Sequence, residues 1–596
     1  MAKDSQQPRK IFDFSALRKV FQFVAPYRRR FYFSIFLAIA LAAIAPLRPY
    51  LIEVTVNDYI QHDKVRMLIL ITEWQIGLII IETILRFYFT FITAWLGQSV
   101  VKDLRVTIFN KILRLNLAQF DTTPIGTLTT RTINDIETIN DIFAEGLIPI
   151  VADLLSIVAV LISMCWMNWR LTLVCLIPFP VLVVATYYFK ESVNRSFIRV
   201  RNAVAALNAF VQEHLTGIQV VQAFAAEDRE FARFKKINKE HRNANIRSIF
   251  AYSIFFPIVE IILALSLGLL VWYGAHQSLD PLFPDKQRLA GQIVAFILLL
   301  NLLFRPLRVI ADKFNVLQMG MISSERVFKV LDNPDTLPDT GTQAPANLAG
   351  RIRFDHVWFA YIDEQYVLKD INFVVEPGQT VAIVGHTGSG KTSIISLLNR
   401  LYTINKGTIF VDDVAIEDYK LEALRSRIGI VLQDVFLFSG SILENVTLRN
   451  PDLTRERVIE AAKLIGVHDF ILQLPGGYDY NVMERGNTLS LGQRQLLSFL
   501  RALLYDPAIL ILDEATSSVD TESEALIQRA IDTLIAGRTS IVIAHRLFTI
   551  RKADKIIVLE KGVIREMGSH EELLEKGGYY ARLHRLQFEK DNVSLR

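Results

Sequence analysis

Cysteine is almost missing from this chain: 596 residues carry two, Cys165 and Cys175. A disulfide framework is therefore excluded, and both residues, set in apolar surroundings, are expected to be reduced packing residues. Net charge is just as scarce. The 65 Lys and Arg residues against 61 Asp and Glu leave +4 over the whole chain. Such a balance lacks the concentrated basic stripe that nucleic-acid binding needs, so no nucleic-acid partner is expected. Charged residues make up only 21% and hydrophobic residues 51%, with a mean hydropathy of +0.31. So apolar a chain offsets its ordering entropy by burial, which excludes disorder as the main state. It is also too apolar to be soluble throughout. The polar start Met1 to Lys10 leads into neither a short apolar core nor a small-residue cleavage site, so no cleaved signal peptide is expected. Internal duplication is absent too, and each half occurs once.

What is abundant is clustered in the first half. A membrane-crossing helix takes about 20 apolar residues. Six stretches qualify: Phe31 to Ile52, Met67 to Trp95, Ile142 to Met167, Trp169 to Phe189, Ile249 to His276 and Leu289 to Phe304. They predict a six-helix transmembrane domain over 31–330, preceded by a cytoplasmic segment 1–30, with the third and fourth spans joined in a tight outside hairpin at Asn168. Roughly twenty-four Lys and Arg residues sit in the amino-terminal segment and the loops 98–141 and 190–248, against about five in the alternate loops, which puts both termini in the cytoplasm. Charges inside spans are costly and invite a functional reading. Glu73, Glu82, Arg86, Asp153 and Glu260 are candidates for a central cavity. Structural pairing between helices is the equally strong alternative, and Glu82 and Arg86 stand at i, i+4, where they neutralise each other.

Both inside loops read as helix, turn, helix. In the first, Leu104, Ile108, Ile112 and Leu115 recur at helical spacing, and Pro124 and Gly126 break the pattern before Ile133, Ile136 and Ile139 resume it. Arms of about twenty residues would project about 30 Å into the cytoplasm. The second loop repeats this around Gly217 to Asp228. From 331 to 350 the composition turns to Asn, Pro, Asp, Thr and Gly, a linker. The remainder, about 341–596, reads as an α/β domain. Short β-branched runs at Thr380 to Val384, Ile428 to Leu432, Ala508 to Leu512 and Ser540 to Ala544 alternate with helical stretches.

That second half carries the chemistry. Gly385, His386, Thr387, Gly388, Ser389, Gly390, Lys391 and Thr392 match GxxxxGKS/T between a strand and a helix, the context a phosphate loop requires. Backbone N–H groups can curl around phosphates there, Lys391 offers charge to the β and γ phosphates, and Thr392 offers a hydroxyl to Mg²⁺. Ser393 follows in the same turn. Ile509 to Leu512 then forms an apolar strand ending in Asp513 and Glu514, at the strand end where α/β sheets present ligand groups. Asp513 can hold Mg²⁺ through water, and Glu514 can act as general base on the attacking water.

Between these motifs stands Leu489-Ser490-Leu491-Gly492-Gln493, which resembles the LSGGQ signature of ATP-binding cassette (ABC) proteins. A phosphate loop, then this signature about a hundred residues later, then a carboxylate strand about twenty after that is a specific combination. Together with the spans and long inside loops, it makes almost the whole chain resemble a half-size ABC exporter, an α-helical six-span domain followed by an α/β P-loop NTPase domain. The resemblance implies ATP and Mg²⁺ as ligands. It assigns Tyr361 to stacking on adenine, with a strand aromatic packed in the core as the plainer alternative, and Gln433 to Mg²⁺ and to relaying nucleotide state. Glu484-Arg485-Gly486 resembles the segment before the signature that meets the inside loops. Ser517 to Asp520 is similar to the loop that spans the dimer interface, and His545 matches the histidine facing the γ phosphate, joining Glu514 and Lys391 as catalytic groups.

One position departs from the pattern. Leucine at 491 stands where the family has glycine, and its side chain is expected to crowd the approach of backbone N–H groups to a phosphate. In the family each ATP lies between the phosphate loop of one cassette and the signature of the other. The resemblance therefore implies a dimer, and Leu491 points to a heterodimer with one impaired ATP site; a homodimer is the alternative. The implied activity is ATP-driven export of a small hydrophobic, lipid or peptide substrate by alternating access, at a bacterial cell membrane or, alternatively, an organelle membrane. An ATP-gated channel or regulatory subunit is the competing function, opposed by the presence of Glu514 and His545.

Overall fold

A computed structural model describes residues 14–279, 286–513, 521–544 and 547–588. Two compact units separate, one built from residues up to 113 with 125–333, the other from 114–124 with 334 onward.

In the first unit, five helical stretches among the described residues are long and apolar enough to cross a membrane: Ala25–Ile60, Val65–Leu113, Ile125–Leu176, Glu227–Ser278 and Arg288–Leu331. The third contains a break. Asn168 leaves helical geometry with φ −160° and ψ 100°, and its Oδ1 accepts hydrogen bonds from the backbone N–H groups of Arg170 and Leu171, both at 3.1 Å. That is how an asparagine caps the start of a new helix. The count of five thus treats as one the two helices that meet at Asn168. The expected span Trp169 to Phe189 is itself interrupted, because Pro178 ends the helix at Leu176 and a further helix runs Phe179–Thr216. The arms are continuous helix, as in Val65–Leu113 and Glu227–Leu279. Gly126, expected to help break the first loop, lies inside the helix Ile125–Thr130.

Most of the intramembrane charges are paired. Arg86 bonds Glu82 at 2.8 Å one turn away, Arg308 meets Glu260 at 2.9 Å, and Lys313 pairs with Asp153. Interhelix pairing therefore accounts for Asp153 and Glu260, and intrahelix pairing for Glu82 and Arg86. Cys175 is buried as expected, but Cys165 is exposed. Its helix neighbours Ile162 and Trp166 are exposed as well.

Among the described residues, the second unit has ten strands, β1 Ile352–Ala360, β2 Tyr366–Val375, β3 Thr380–Val384, β4 Lys406–Val411, β5 Val414–Ala415, β6 Ile428–Val431, β7 Ile509–Asp513, β8 Thr539–Ile543, β9 Lys555–Glu560 and β10 Val563–Gly568. They form a four-stranded sheet in the order β2-β1-β4-β5 and a six-stranded sheet in the order β10-β9-β3-β8-β7-β6. The small sheet is antiparallel. The large one is parallel except for β10. Every residue of β3, β7 and β8 is buried, because the large sheet is covered on both faces. Val381, Ile383, Ile509, Ile511 and Ile541 point to a core shared with the small sheet and with Ile394, Leu397 and Leu398. Ala382, Val384, Leu510, Leu512 and Val542 point to the opposite core, with Leu496, Leu497 and Leu500. The helix Lys391–Leu398 is thereby pinned between two sheets, with the phosphate loop at its start. The linker is laid down on this unit too. Arg400 donates to the Pro338 carbonyl at 2.8 Å, and Asp339 accepts from the Leu421 N–H at 2.9 Å.

Asn168→Ala should remove the cap of the helix that restarts at Trp169, a loss of about 1 kcal/mol. A lower midpoint of heat unfolding in detergent, largely recovered by Asn168→Asp, is the expected result; an unchanged midpoint would remove Asn168 from that role.

Candidate nucleotide site

The site begins where β3 ends. The loop between Val384 and Lys391 turns through Gly388 at φ +80° and Gly390 at φ +104°, left-handed conformations that glycine adopts without a Cβ penalty. Gly385 is required for space instead: a Cβ there would lie 2.2 Å from the Leu559 carbonyl oxygen. The helix that follows presents its N-terminal N–H groups to this loop, an arrangement suited to an anion.

A cavity of about 360 Å³ opens over the loop. It is lined by Tyr361, Val367, Thr387, Gly388, Gly390, Lys391, Thr392, Ser393, Gln433, Asp513 and Ile543. Lys391 is buried and its Nζ donates to the carbonyls of Gly385 at 2.8 Å and His386 at 3.1 Å. Burial lowers its pKa from the ordinary lysine value, and the Asp513 carboxylate opposes that shift. Asp513, at the end of β7, is buried as well. Desolvation raises its pKa; Lys391 pulls it back, Asp434 pushes it further up, and a hydrogen bond with Thr392 lowers it. The buried Ser389 Oγ has no hydrogen-bond partner among the described residues, an acceptor and donor left open inside the phosphate loop.

The residues present fit a hydrated divalent cation. Thr392, Gln433 and Asp513 offer a hydroxyl, an amide oxygen and a carboxylate around one cavity, the oxygen set that Mg²⁺ takes. When bound, Mg²⁺ supplies positive charge to the phosphate oxygens. Tyr361 stands at the far wall, 43% exposed. Its hydroxyl shares a hydrogen bond with Ser393 Oγ at 2.9 Å, and its ring meets Phe359 and Tyr402 at near-right angles. It is therefore held by its edges and hydroxyl, and is not a fully packed core aromatic.

Of the other expected residues, His386 contributes a carbonyl, not its ring, to Lys391. The signature does not line this cavity. Leu489 is buried, and Ser490 caps the helix Leu491–Leu504 through a reciprocal pair of hydrogen bonds with Gln493. Leu491 occupies the first helical position, and Gly492, also in that helix, is buried. Leu491 is not among the positive-φ residues. Leucine there causes no left-handed backbone strain. Glu484 to Gly486 forms a single 3-10 turn with Arg485 at φ +56°. Glu514, Ser517, Ser518, Val519, Asp520 and His545 lie outside the described residues; their neighbours Asp513 and Ala544 are buried at the ends of β7 and β8. Two wall residues, Val367 and Ile543, were not singled out by motif. Val367 sits on β2 of the small sheet and Ile543 on β8 of the large one, and only the packing of the two sheets brings them together.

Two buried groups of opposite charge set a pH dependence. The Asp513 carboxyl titrates higher folded than unfolded, so the folded state holds its proton more tightly and stability falls as pH rises above the ordinary carboxylate range. Without nucleotide and Mg²⁺, Asp513→Asn should unfold at a higher temperature than the parent at pH 7, and the gap should close as pH falls toward about 4. A variant less stable than the parent at pH 7 would overturn this account.

Comparison with known proteins agrees with both units. Residues 31–307 match the family model of the ABC transporter transmembrane region, and residues 368–517 match the family model described as ABC transporter. The chain is 38% identical over 588 residues to an uncharacterized ABC transporter ATP-binding protein, YknV, of Bacillus subtilis (strain 168), covering 97% of this chain and 96% of that one. It is 35% identical to a protein named ATP-dependent lipid A-core flippase of Chromohalobacter salexigens, over 97% and 98% of the two chains. A protein of the same name from Syntrophus aciditrophicus is 32% identical over 97% and 95%. The chain belongs to the ABC transporter family, as a membrane region fused to one ATP-binding cassette whose ATPase activity is coupled to transport.

Proposed function

We propose that this chain is half of a dimeric exporter that uses ATP to move a hydrophobic or amphipathic molecule, with lipid the first class to test, across or between the leaflets of a bacterial cell membrane. The observation that carries the reading is a single cavity lined by the phosphate loop, Asp513, Gln433 and Tyr361 in a chain whose other unit is built of apolar helices. Relatives named as lipid flippases along nearly their full length favour a lipid over a peptide. Both termini face the cytoplasm in this reading, in line with the Lys and Arg excess of the inside loops.

One chain holds one cassette, so two composite sites require a second subunit. ATP binding closes the cassettes and opens the spans outward, and hydrolysis resets them. Such a cycle needs ATP to prefer one of two states, which a nucleotide held between two cassettes satisfies. Lys391 and the loop N–H groups hold the phosphates, Tyr361 the base, and Thr392, Gln433 and Asp513 the metal. Glu514 serves as general base, with His545 facing the γ phosphate. The side chain of Leu491 at the head of its helix favours a heterodimer in which this chain's signature completes the weaker site.

Two measurements test the reading. Mg-ATP turnover of the chain alone, reconstituted in lipid, should fall roughly 10² to 10⁴-fold in Glu514→Gln; near-normal turnover in that variant removes Glu514 as general base. Leu491→Gly should raise the turnover of the chain alone several-fold, and no change would count against the heterodimer. Movement of a short-chain fluorescent phospholipid between leaflets should require ATP and stop in Glu514→Gln. Hydrolysis with no movement of any phospholipid offered would overturn lipid as the substrate class.

A further inference from the structure

The segment 114–124 belongs to the same compact unit as the cassette, and one of its side chains reaches the nucleotide site in two steps. Asp121 lies on the short helix Leu117–Thr122, which Asn116 caps by accepting from the Ala118 N–H. The backbone there is tied down: the Asn116 N–H donates to the Asp335 carbonyl at 3.0 Å, and Leu115 bridges to Thr336. Asp121 Oδ2 accepts a hydrogen bond from the Tyr402 hydroxyl at 2.7 Å. The Tyr402 ring meets Tyr361 with centroids 5.1 Å apart and planes at 89°, the perpendicular contact that aromatic pairs favour.

Tyr402 cannot be a loose side chain. It follows a stretch clamped by two buried or half-buried guanidinium groups. Arg400 donates to the Tyr419 and Pro338 carbonyls, both at 2.8 Å, while Arg425 donates to the carbonyls of Asn399 at 3.1 Å and Arg400 at 2.9 Å. The ring itself packs on the core between the two sheets. Burial, followed by the hydrogen bond to Asp121, holds the phenol above its ordinary pKa, so it stays a donor at neutral pH. Tyr361 is thus fixed on one side by Ser393, which belongs to the phosphate-loop helix, and on another by Tyr402, which belongs to the contact with Asp121.

We propose that Tyr402 is a positioning residue that sets the orientation of the Tyr361 ring and joins the nucleotide base to Asp121 at the tip of the first cytoplasmic loop. This inference rests on the reading of Tyr361 as the base platform. Its consequence is reciprocal, because a contact that changes base affinity from Asp121 must let the base change the energy of the Asp121 contact equally. The phosphates are held by other groups, so the coupling acts on the base alone.

The test compares ATP with ribose 5-triphosphate, which keeps the phosphates and lacks the base. Equilibrium binding is measured on the full-length chain in lipid. Tyr402→Phe, which keeps the ring and deletes the hydroxyl, should weaken ATP about three- to tenfold and leave ribose 5-triphosphate unchanged. Asp121→Ala, which deletes the acceptor, should do the same, and the double variant should be no weaker than either single one, since both remove one bond. In a Tyr361→Ala background, Tyr402→Phe should have no further effect. Equal weakening of both ligands would mean a general structural defect and overturn the proposal, as would additive effects of the two substitutions. If Tyr361→Ala weakens ATP selectively but Tyr402→Phe and Asp121→Ala do not, the coupling fails while the platform stands. If Tyr361→Ala leaves the ATP to ribose 5-triphosphate ratio unchanged, the platform reading itself fails.

Discussion

Lys391 and Asp513 are both buried at the end of a sheet that is apolar on each face, and the nucleotide site is organised around that fact. Two opposite charges taken out of water are costly even when they attract each other. Burial moves the lysine down and the carboxyl up, in each case toward the neutral form. The pair persists because the protein supplies partners: carbonyls of Gly385 and His386 for the amine, and the hydroxyl of Thr392 for the carboxylate. In the proposed reading, a triphosphate with its metal would bring each of these charges a further counterpart. The site is prepared for that ligand at the expense of its own stability, as functional sites commonly are.

The sheet makes this burial possible. β3 carries the phosphate loop, and β8 separates it from β7, whose end carries Asp513. The ligand groups therefore meet across the carboxyl ends of neighbouring parallel strands. The small antiparallel sheet covers one face and brings Tyr361 and Val367 over the loop from β1 and β2. Its alternation is plain in the burial of β1, where Ile352, Phe354, Val357 and Phe359 face the core. Without that cover the helix Lys391–Leu398 would have one unpartnered face, and the cavity would have no far wall.

Within the membrane unit the same rule holds in a different solvent. Asp153 with Lys313, and Glu260 with Arg308, pair between helices, since an unpaired charge among apolar helices has no water to turn to. Asn168 shows a related economy: one side chain caps the new helix through Oδ1 and reaches Gln292 through Nδ2 at 3.1 Å. A polar residue at a helix break serves the orphaned N–H groups first.

Much was legible in the sequence alone, because some chemistry needs particular residues at particular spacings. The phosphate loop reads as a motif, since only glycine takes the φ values of Gly388 and Gly390. The strands β3, β6, β7 and β8 read as short, mostly apolar runs, since a sheet buried on both faces leaves few places for polar side chains. Apolar length marked the membrane helices, and Asn168 reads as the break between two of them, where the structure has a capped residue and no loop. The small sheet and Cys165's exposure were not read, the first because its strands alternate core and surface residues around Asp and Gly turns. Tertiary structure alone decided which charges pair between helices, that Leu491 meets a helix start without backbone strain, and that Tyr402 stands between Tyr361 and Asp121. Those facts depend on which distant segments are neighbours; 281 positions separate Asp121 from Tyr402, and no local pattern records a contact that only the folded chain creates.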